Sequence, residues 1–261
     1  MVKQVLRKVL GAIGSLYRTV LNLLLNNRVF KYRYYRLSVF LATRGIKPFF
    51  SCSDLGSKRR WKEQGDDGAI DVPETYVGED NSLAELFRDV LPYLDKQSPV
   101  LELGCNVGRS LDYLYRHGYT DLTGVEIGPK AVELSKTVFP DMYEHSRLIV
   151  GDVTEVIKTF AKDQFELVFC HSVLVNIHPK HNHIFKDMAR ISRKFILILE
   201  NEGSYNAYPK DFKKLVEKQG YKMIVSKVFT GNCACLPMPY KEEHIYKNNT
   251  IRLFVKDESG L

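Results

Sequence analysis

The amino-acid sequence predicts an α/β fold, with a doubly wound sheet of seven strands preceded by an N-terminal amphipathic helical extension. Short apolar segments of strand length alternate with segments of helical periodicity from about residue 99 to residue 229, and the connections between them are short. Residues 99–110 have the pattern of a buried strand that runs into a glycine-punctuated turn and then a helix. This alternation is typical of doubly wound sheets.

The predicted elements follow one another regularly along the chain. The strands are expected at 99–104, 122–126, 147–151, 165–170, 195–199, 221–229 and 249–255. The helices are expected at 83–94, 108–117, 129–138, 153–161, 181–191 and 208–218. Residues 231–247 contain two prolines and are expected to form an irregular loop. We therefore divide the chain into a basic extension at 1–50, a connector or lid with a capping helix at 51–95, and a core at 96–261.

Length and composition fit one domain of ordinary size plus an extension. The chain has 261 residues, of which 44% are hydrophobic, enough for a sizeable core. Its five cysteines are odd in number and scattered, which argues against a disulfide framework and indicates a reducing, cytoplasmic setting. The net charge of +7 is uneven, because residues 1–53 contain ten Lys or Arg and no acid. The basic character therefore belongs to the N-terminal extension.

The extension combines an apolar face with a cationic face. On a helical wheel, most valine, isoleucine and leucine side chains between Val2 and Leu24 fall on one side, opposite lysines and arginines. Charges interrupt every apolar run well before the roughly 18 residues of a membrane span, and they also disfavour a secretory signal. We expect residues 1–45 to contact the inner face of a membrane peripherally, or to pack on the domain or on a second copy in a homo-oligomer. A mitochondrial transit peptide and, because aromatic and basic residues alternate over 28–36, a nucleic-acid contact are the less favoured alternatives.

The turn after the first predicted strand carries the most specific pattern in the chain. Its sequence is Glu102-Leu-Gly104-Cys-Asn106-Val-Gly108, and further acids, Glu126 and Asp152, end the next two predicted strands. This order resembles that of class I S-adenosylmethionine-dependent methyltransferases, small-molecule and sugar-type members among them, over about residues 96–256. Asn106 replaces the middle glycine of the family's acidic-x-Gly-x-Gly-x-Gly motif, and asparagine tolerates left-handed backbone better than most residues. The resemblance implies a mostly parallel sheet with an antiparallel last strand, and S-adenosyl-L-methionine as cofactor.

The resemblance also implies where each part of the cofactor binds. The glycine turn lies under the methionine part, Glu102 reaches its amino group, and Glu126 accepts hydrogen bonds from the ribose hydroxyls. Asp152 binds the adenine edge together with a backbone N–H, although it equally suits a cap of the next helix. The implied cofactor residues are Tyr76, Glu102, Gly104, Cys105, Asn106, Gly108, Glu126, Ile127, Asp152, Val153 and His171.

Residues 170–179, after the fourth predicted strand, contain candidates for proton transfer. Methyl transfer displaces a good leaving group from a sulfonium carbon, so alignment supplies much of the catalysis. A hydroxyl acceptor still benefits from a base that titrates near neutral pH, and His171 and His178 are the candidates. The alternative is that such a histidine stacks on the cofactor or caps a turn. Glu200 and Glu202 follow the fifth strand as further candidates, and no metal site is expected, because the histidines near His178 have no acid or cysteine beside them.

These features favour O-methylation of a sugar-like or other small polar acceptor, such as a glycan precursor that is lipid-linked at a membrane surface. No Asn-Pro-Pro-aromatic tetrapeptide follows the fourth strand, which lowers the case for an amino group of nucleic acid or protein. The alternatives are an RNA-directed methyltransferase that uses the basic extension for phosphates, and a cofactor-binding protein without catalysis. A nicotinamide-dependent dehydrogenase is disfavoured, because its Gly-x-Gly-x-x-Gly turn is missing.

Overall fold

The computed structural model describes residues 54–63, 72–78, 82–201, 208, 210–230 and 249–257. The predicted extension over 1–50, the predicted loop over 231–247 and Glu202 lie outside these residues, and the boundaries of the three predicted segments stay predictions. Within the described residues, no helix is long and apolar enough to cross a membrane.

Seven strands form a single sheet. They are β1 (Val100–Leu103), β2 (Leu122–Glu126), β3 (Ser146–Val150), β4 (Phe165–His171), β5 (Ser192–Asn201), β6 (Tyr221–Val228) and β7 (Asn249–Lys256). Their order across the sheet is β3-β2-β1-β4-β5-β7-β6. Neighbours from β3 to β5 pair in parallel, whereas β7 pairs antiparallel with both β5 and β6. The predicted mostly parallel sheet with an antiparallel last strand is confirmed.

The strand order changes direction between β1 and β4. The chain leaves β1 towards β2 and β3 on one side, and then returns to place β4 on the other side of β1. The loops that leave the carboxyl ends of β1 and β4 therefore diverge and open a crevice, which is where ligands bind in open α/β sheets. The glycine turn after β1 and the histidine-containing segment after β4 both lie at this edge.

Helices cover both faces of the sheet. They are α1 (Asp54–Glu63), α2 (Leu83–Phe87), α3 (Arg109–Arg116), α4 (Pro129–Val138), α5 (Pro140–His145), α6 (Val153–Val156), α7 (Ile184–Ile191) and α8 (Phe212–Glu217). On one face, Phe87 of α2 packs edge-to-face on Phe169 of β4, with ring centroids 5.1 Å apart. On the other face, Phe185 of α7 and Phe212 of α8 are fully buried in a second apolar cluster. Central strands such as β1 are mainly apolar and are buried because helices cover both of their sides.

Some helices differ from the predicted bounds for local reasons. The helix predicted at 83–94 is divided into α2, which ends at Phe87, and a 3-10 helix, Leu91–Tyr93, whose first turn contains Pro92, where a missing N–H group is tolerated. The helix predicted from residue 208 begins at Phe212, where the Asp211 side chain accepts a hydrogen bond from the Lys214 N–H group and caps it. Two α-helices of the described residues were not predicted: α1, in the stretch interpreted as a connector or lid, and α5, which begins at Pro140.

Candidate active site

The turn after β1 adopts the backbone that a close approach to a ligand requires. Gly104 and Gly108 have φ angles of +75° and +81°, and Asn106 between them has φ +50°. The left-handed conformation anticipated at Asn106 is therefore confirmed. A Cβ atom on Gly104 would overlap Cγ2 of Val173, in the turn after β4. The two turns are thus packed against each other without room for a side chain at this position.

Glu102 places a buried carboxylate directly beneath this turn. It is 3% exposed, and burial raises its pKa well above the usual range, while a hydrogen bond from Ser110 and the charge of Arg109 oppose that rise. Its Oε2 atom is buried without a hydrogen-bond partner among the residues that the structure describes. A buried carboxylate oxygen without a donor is costly, and an ammonium group of a ligand would satisfy it. This fits the predicted contact with the amino group of S-adenosyl-L-methionine.

Glu126, at the end of β2, binds backbone in both the turn after β1 and the turn after β2. Its Oε2 atom accepts a hydrogen bond from the Asn106 N–H group at 2.9 Å, and its Oε1 atom accepts one from the Gly128 N–H group at 2.7 Å. Burial raises the pKa of this carboxyl, and these N–H groups and that of Ile127 counteract the rise. The hydrogen bonds from Asn106 and Gly128 use one lone pair on each oxygen, and the carboxylate keeps some capacity to accept from a ligand hydroxyl. The predicted contact with the ribose hydroxyls stays a prediction.

Asp152 caps α6 and also binds α1. Its Oδ1 atom accepts hydrogen bonds from the Thr154 N–H and hydroxyl groups at 2.9 and 2.8 Å, and its Oδ2 atom lies 2.5 Å from Nζ of Lys58. Burial alone would raise the pKa of Asp152, but the Lys58 and Thr154 hydrogen bonds and the Lys58 charge lower it overall. The capping alternative is thus observed, and the predicted adenine contact stays a prediction. Lys58 was missed because nothing in the sequence links it to a residue so far along the chain.

The remaining predicted cofactor residues line the same edge of the sheet. Cys105 is buried, and burial raises the pKa of its thiol well above the usual range, so it stays neutral. Ile127 is half-buried directly after β2, and Val153 is buried at the start of α6. Tyr76 is half-buried at the end of a short 3-10 helix, Pro73–Tyr76, which lies beside α4. These residues surround the Glu126 side of the crevice.

The two candidate histidines lie at different positions, one at the end of β4 and one in the segment that follows the strand. His171 is the last residue of β4 and half-buried, and because Leu103 pairs with Cys170, it lies beside Gly104. His178 precedes the 3-10 helix Pro179–His181, and its Nδ1 atom accepts a hydrogen bond from the Lys180 N–H group at 3.1 Å. A neutral imidazole that accepts at Nδ1 carries its proton on Nε2, so His178 is arranged to donate a hydrogen bond there. His171 thus lies beside the glycine turn, and the role of either histidine as a base stays a prediction.

Glu200 does not have the surroundings of an exposed base. The residue is completely buried at the end of β5, and its Oε1 atom accepts hydrogen bonds from the Val173 and Leu174 N–H groups at 2.7 and 2.5 Å. This geometry gives Glu200 a structural contact, and the catalytic role predicted for it stays a prediction. Its partners lie 26 and 27 residues away in the sequence, so the sequence pattern alone could not show this contact. Glu202 lies outside the described residues.

A metal ion has no evident ligand set in the described part of the chain. No group of three or more His, Cys, Asp or Glu side chains in it could hold one. The arrangement that the structure does show is a crevice with a buried, incompletely bonded carboxylate, two acids at successive strand ends and a histidine at the end of β4.

Comparisons with known proteins agree with this arrangement. Residues 101–195 match a protein-family model described as a methyltransferase domain. A comparison with curated proteins found no match. Among solved structures, the chain is similar to magnesium protoporphyrin IX methyltransferase from Synechocystis PCC 6803 with bound S-adenosylmethionine. The two share 13% identity over 84% of this chain and 97% of that chain, with a TM-score of 0.53.

Two further solved structures share the fold. A TehB-like methyltransferase from Corynebacterium glutamicum has 18% identity over 69% of this chain and 90% of that chain, with a TM-score of 0.51. The 1,6-didemethyltoxoflavin-N1-methyltransferase from Burkholderia thailandensis, with bound S-adenosylhomocysteine, has 14% identity over 69% and 80%, with a TM-score of 0.50. Residues 101–195 are thus matched as a methyltransferase domain, and the fold and the fit of the crevice agree with an enzyme that uses S-adenosyl-L-methionine as cofactor.

Proposed function

We propose that this methyltransferase acts on an oxygen atom of a sugar-like or other small polar acceptor. The observation that carries the proposal is the position of His171 beside the glycine turn, at the junction of the two diverging loops. The bound cofactor supplies a methyl group on a sulfonium sulfur, which is a good leaving group. The protein then needs to align a hydroxyl group, exclude water and remove one proton, and an imidazole is suited to the last task.

The two histidines have complementary parts in this proposal. His171 takes the hydroxyl proton as the oxygen attacks, and the Nε2–H group of His178 donates a hydrogen bond to a polar group of the acceptor. The Lys180 N–H group fixes that tautomer by donating to Nδ1 of His178. The His178 ring also packs edge-to-face on Tyr208, with centroids 5.0 Å apart, which holds its orientation. Neither histidine needs an additional carboxylate base, in keeping with the complete burial of Glu200.

The test works on acceptor mixtures, so the acceptor does not have to be identified first. The full-length protein is incubated with S-adenosylmethionine labelled in the methyl group and with separate fractions of small polar metabolites, lipid-linked glycans and RNA. We expect base-stable label in a small polar or glycan fraction. Label in RNA would overturn the acceptor class in favour of the RNA-directed alternative, and cofactor binding without label in any fraction would favour a non-catalytic role.

Once a labelled fraction is identified, His171→Ala should lower the rate of methyl transfer to it on the order of a hundredfold, while the affinity for the cofactor is unchanged. The matched control is His117→Ala, because His117 is exposed at the far end of α3, on the opposite edge of the sheet from the crevice. Full turnover of the His171→Ala variant would remove His171 as the base.

We also propose that residues 1–45 hold the enzyme at an anionic membrane surface, where a lipid-linked acceptor would be reached. The support is their sequence alone: an apolar face, many basic residues and no acid. Each basic residue near such a surface contributes about 1 kcal/mol. Deletion of residues 1–45 should abolish flotation with anionic vesicles at low salt and keep the binding of S-adenosylhomocysteine. A full-length protein that never floats, but is a dimer that the deletion makes monomeric, would show an oligomerisation element instead.

A further inference from the structure

Two buried groups of opposite charge bind the same turn after β4 from its two ends. The turn is the 3-10 helix Leu174–Asn176 with its flanking residues, between His171 and His178. Glu200, from the end of β5, is completely buried, and Lys210, just before α8, is only 6% exposed. Neither residue has a part in the cofactor contacts described above. What Glu200 and Lys210 share is the turn after β4, which both side chains bind.

Glu200 binds the amino end of the turn. Its Oε1 atom accepts hydrogen bonds from the Val173 N–H group at 2.7 Å and from the Leu174 N–H group at 2.5 Å. These are the N–H groups that the first turn of a helix leaves without a partner inside the helix. A negative charge at this end also interacts favourably with the aligned peptide dipoles.

Lys210 binds the carboxyl end of the same turn. Its Nζ atom donates hydrogen bonds to the backbone carbonyl oxygens of Leu174 at 2.9 Å, Ile177 at 2.6 Å and Tyr208 at 3.3 Å. An ammonium group has three N–H bonds, so these contacts use its whole donor capacity. The Tyr208 N–H group adds a hydrogen bond to the Val175 carbonyl at 2.6 Å. The chain that follows β5 is thereby attached to the turn.

A purely space-filling role would not require these charges. Burial disfavours the charged forms, so it raises the pKa of Glu200 to about 7 and lowers the pKa of Lys210 to about 7. The backbone N–H groups of the turn oppose the shift of Glu200, and the attraction between the two side chains opposes both shifts. Well-packed apolar residues can replace buried ion pairs without loss of stability. What apolar residues cannot do is hold specified N–H and carbonyl groups in place. The contacts made by both side chains are of that kind.

The turn connects the two halves of the crevice. On one side, Val173 packs so closely on Gly104 that a Cβ atom there would overlap it. On another side, the Asn176 carbonyl accepts a hydrogen bond from the Ser57 hydroxyl of α1 at 2.9 Å. At its end the turn leads to His178. Any displacement of the turn would therefore move the floor of the methionine site and the histidine together.

We propose that Glu200 and Lys210 are positioning residues, which together fix the turn after β4 so that Val173 abuts the cofactor turn and His178 faces the acceptor. The statement about His178 rests on the proposed function, whereas the contacts of the turn do not. Glu200 holds the amino end and Lys210 holds the carboxyl end, so the loss of either should release the turn while the sheet stays folded.

The test is the amide exchange and chemical shift of the turn, measured by NMR in the full-length protein with saturating S-adenosylhomocysteine. In Glu200→Gln, the Val173 and Leu174 amide protons should shift upfield and exchange about tenfold faster or more. In Lys210→Met, exchange over 173–177 should rise by a similar factor, and Lys210→Arg should restore most of the protection. Amides of β1 and β4 should keep their wild-type rates.

The controls are the same two substitutions at exposed sites, Glu133→Gln on α4 and Lys213→Met on α8, which should leave the turn unchanged. Wild-type protection of the turn in Glu200→Gln and Lys210→Met would overturn the proposal. So would a uniform rise in exchange across the sheet, which would mean general destabilisation. If Glu200→Gln does not fold, the comparison of Lys210→Met with Lys210→Arg decides. The readout needs no acceptor, so a failure of the proposed acceptor class would show only in the labelling experiment.

Discussion

Replacement of Glu126 by alanine tests the cofactor site most directly. The wild-type carboxylate is predicted to accept both ribose hydroxyls, and charge-assisted hydrogen bonds of this kind contribute about 1.5–3 kcal/mol each. Their loss should reduce the binding free energy of S-adenosylhomocysteine by about 3–6 kcal/mol, which raises the Kd roughly 10²- to 10⁴-fold. Isothermal titration calorimetry at one temperature and pH measures this.

The same substitution should also destabilise the fold, because Glu126 already binds backbone. The Asn106 and Gly128 N–H groups donate to its two oxygens, and alanine leaves both without that acceptor. A buried donor left unsatisfied costs about 1–3 kcal/mol, less where water can enter. Urea unfolding, monitored by circular dichroism, measures this loss of folding stability separately from the loss of cofactor affinity.

Two further variants separate the contributions. Glu126→Gln keeps one carbonyl oxygen and turns the other atom into a donor, so we expect an intermediate loss of affinity. Glu133→Ala is the matched control, because Glu133 lies on α4 with an exposed side chain and should change neither quantity. A folded Glu126→Ala protein that binds S-adenosylhomocysteine within about threefold of wild type, less than 1 kcal/mol, would refute the ribose assignment.

Two other predictions concern backbone and charge at this edge. Gly104→Ala and Gly220→Ala both force alanine into left-handed backbone, which costs about 1–2 kcal/mol of stability. Only at Gly104 would the added Cβ atom also overlap a valine side chain, because no atom lies within 4 Å of the corresponding position at Gly220. Gly104→Ala should therefore lose more stability in urea and also lose cofactor affinity; equal losses would contradict the close packing. Lys58→Met removes a partner that lowers the pKa of Asp152, and a lowered pKa contributes stability above the unfolded pKa that is lost as pH falls. The stability gap between wild type and Lys58→Met should thus be widest near pH 7 and close below about pH 4, as urea unfolding over a pH series can check.

The sequence was sufficient to predict the sheet because the relevant signals are local. Each apolar segment of strand length, such as Val100–Leu103, is marked by its own composition and by the turn residues around it. Helix ends were predicted less well, since they depend on single contacts. The Asp211 cap moves the start of α8, and the helix predicted at 83–94 is divided into α2 and a 3-10 helix with Pro92 in its first turn.

The site was only partly predictable, because its contacts join residues far apart in the chain. The left-handed turn at Asn106 follows from its position between two glycines. In contrast, no periodicity or spacing connects Lys58 with Asp152, or Lys210 with the turn after β4. These contacts exist because the sheet order brings the ends of β3, β4 and β5 to one edge, and only the folded chain shows which side chains then meet.

The acidic residues at strand ends illustrate why the type of a residue and its position in the fold do not determine whether it binds a ligand. Glu126, Asp152 and Glu200 each lie at or just after the carboxyl end of a strand, and from the sequence each could bind a ligand. Their partners separate them: Glu126 accepts one backbone N–H at each oxygen, and Asp152 already caps a helix and binds a lysine. Glu200 is fully enclosed and holds a neighbouring turn. The three acids thus make different internal contacts in spite of their similar positions at strand ends. Burial and a raised pKa are therefore compatible with a contact that only holds the backbone, and they do not by themselves identify Glu200 as a catalytic base.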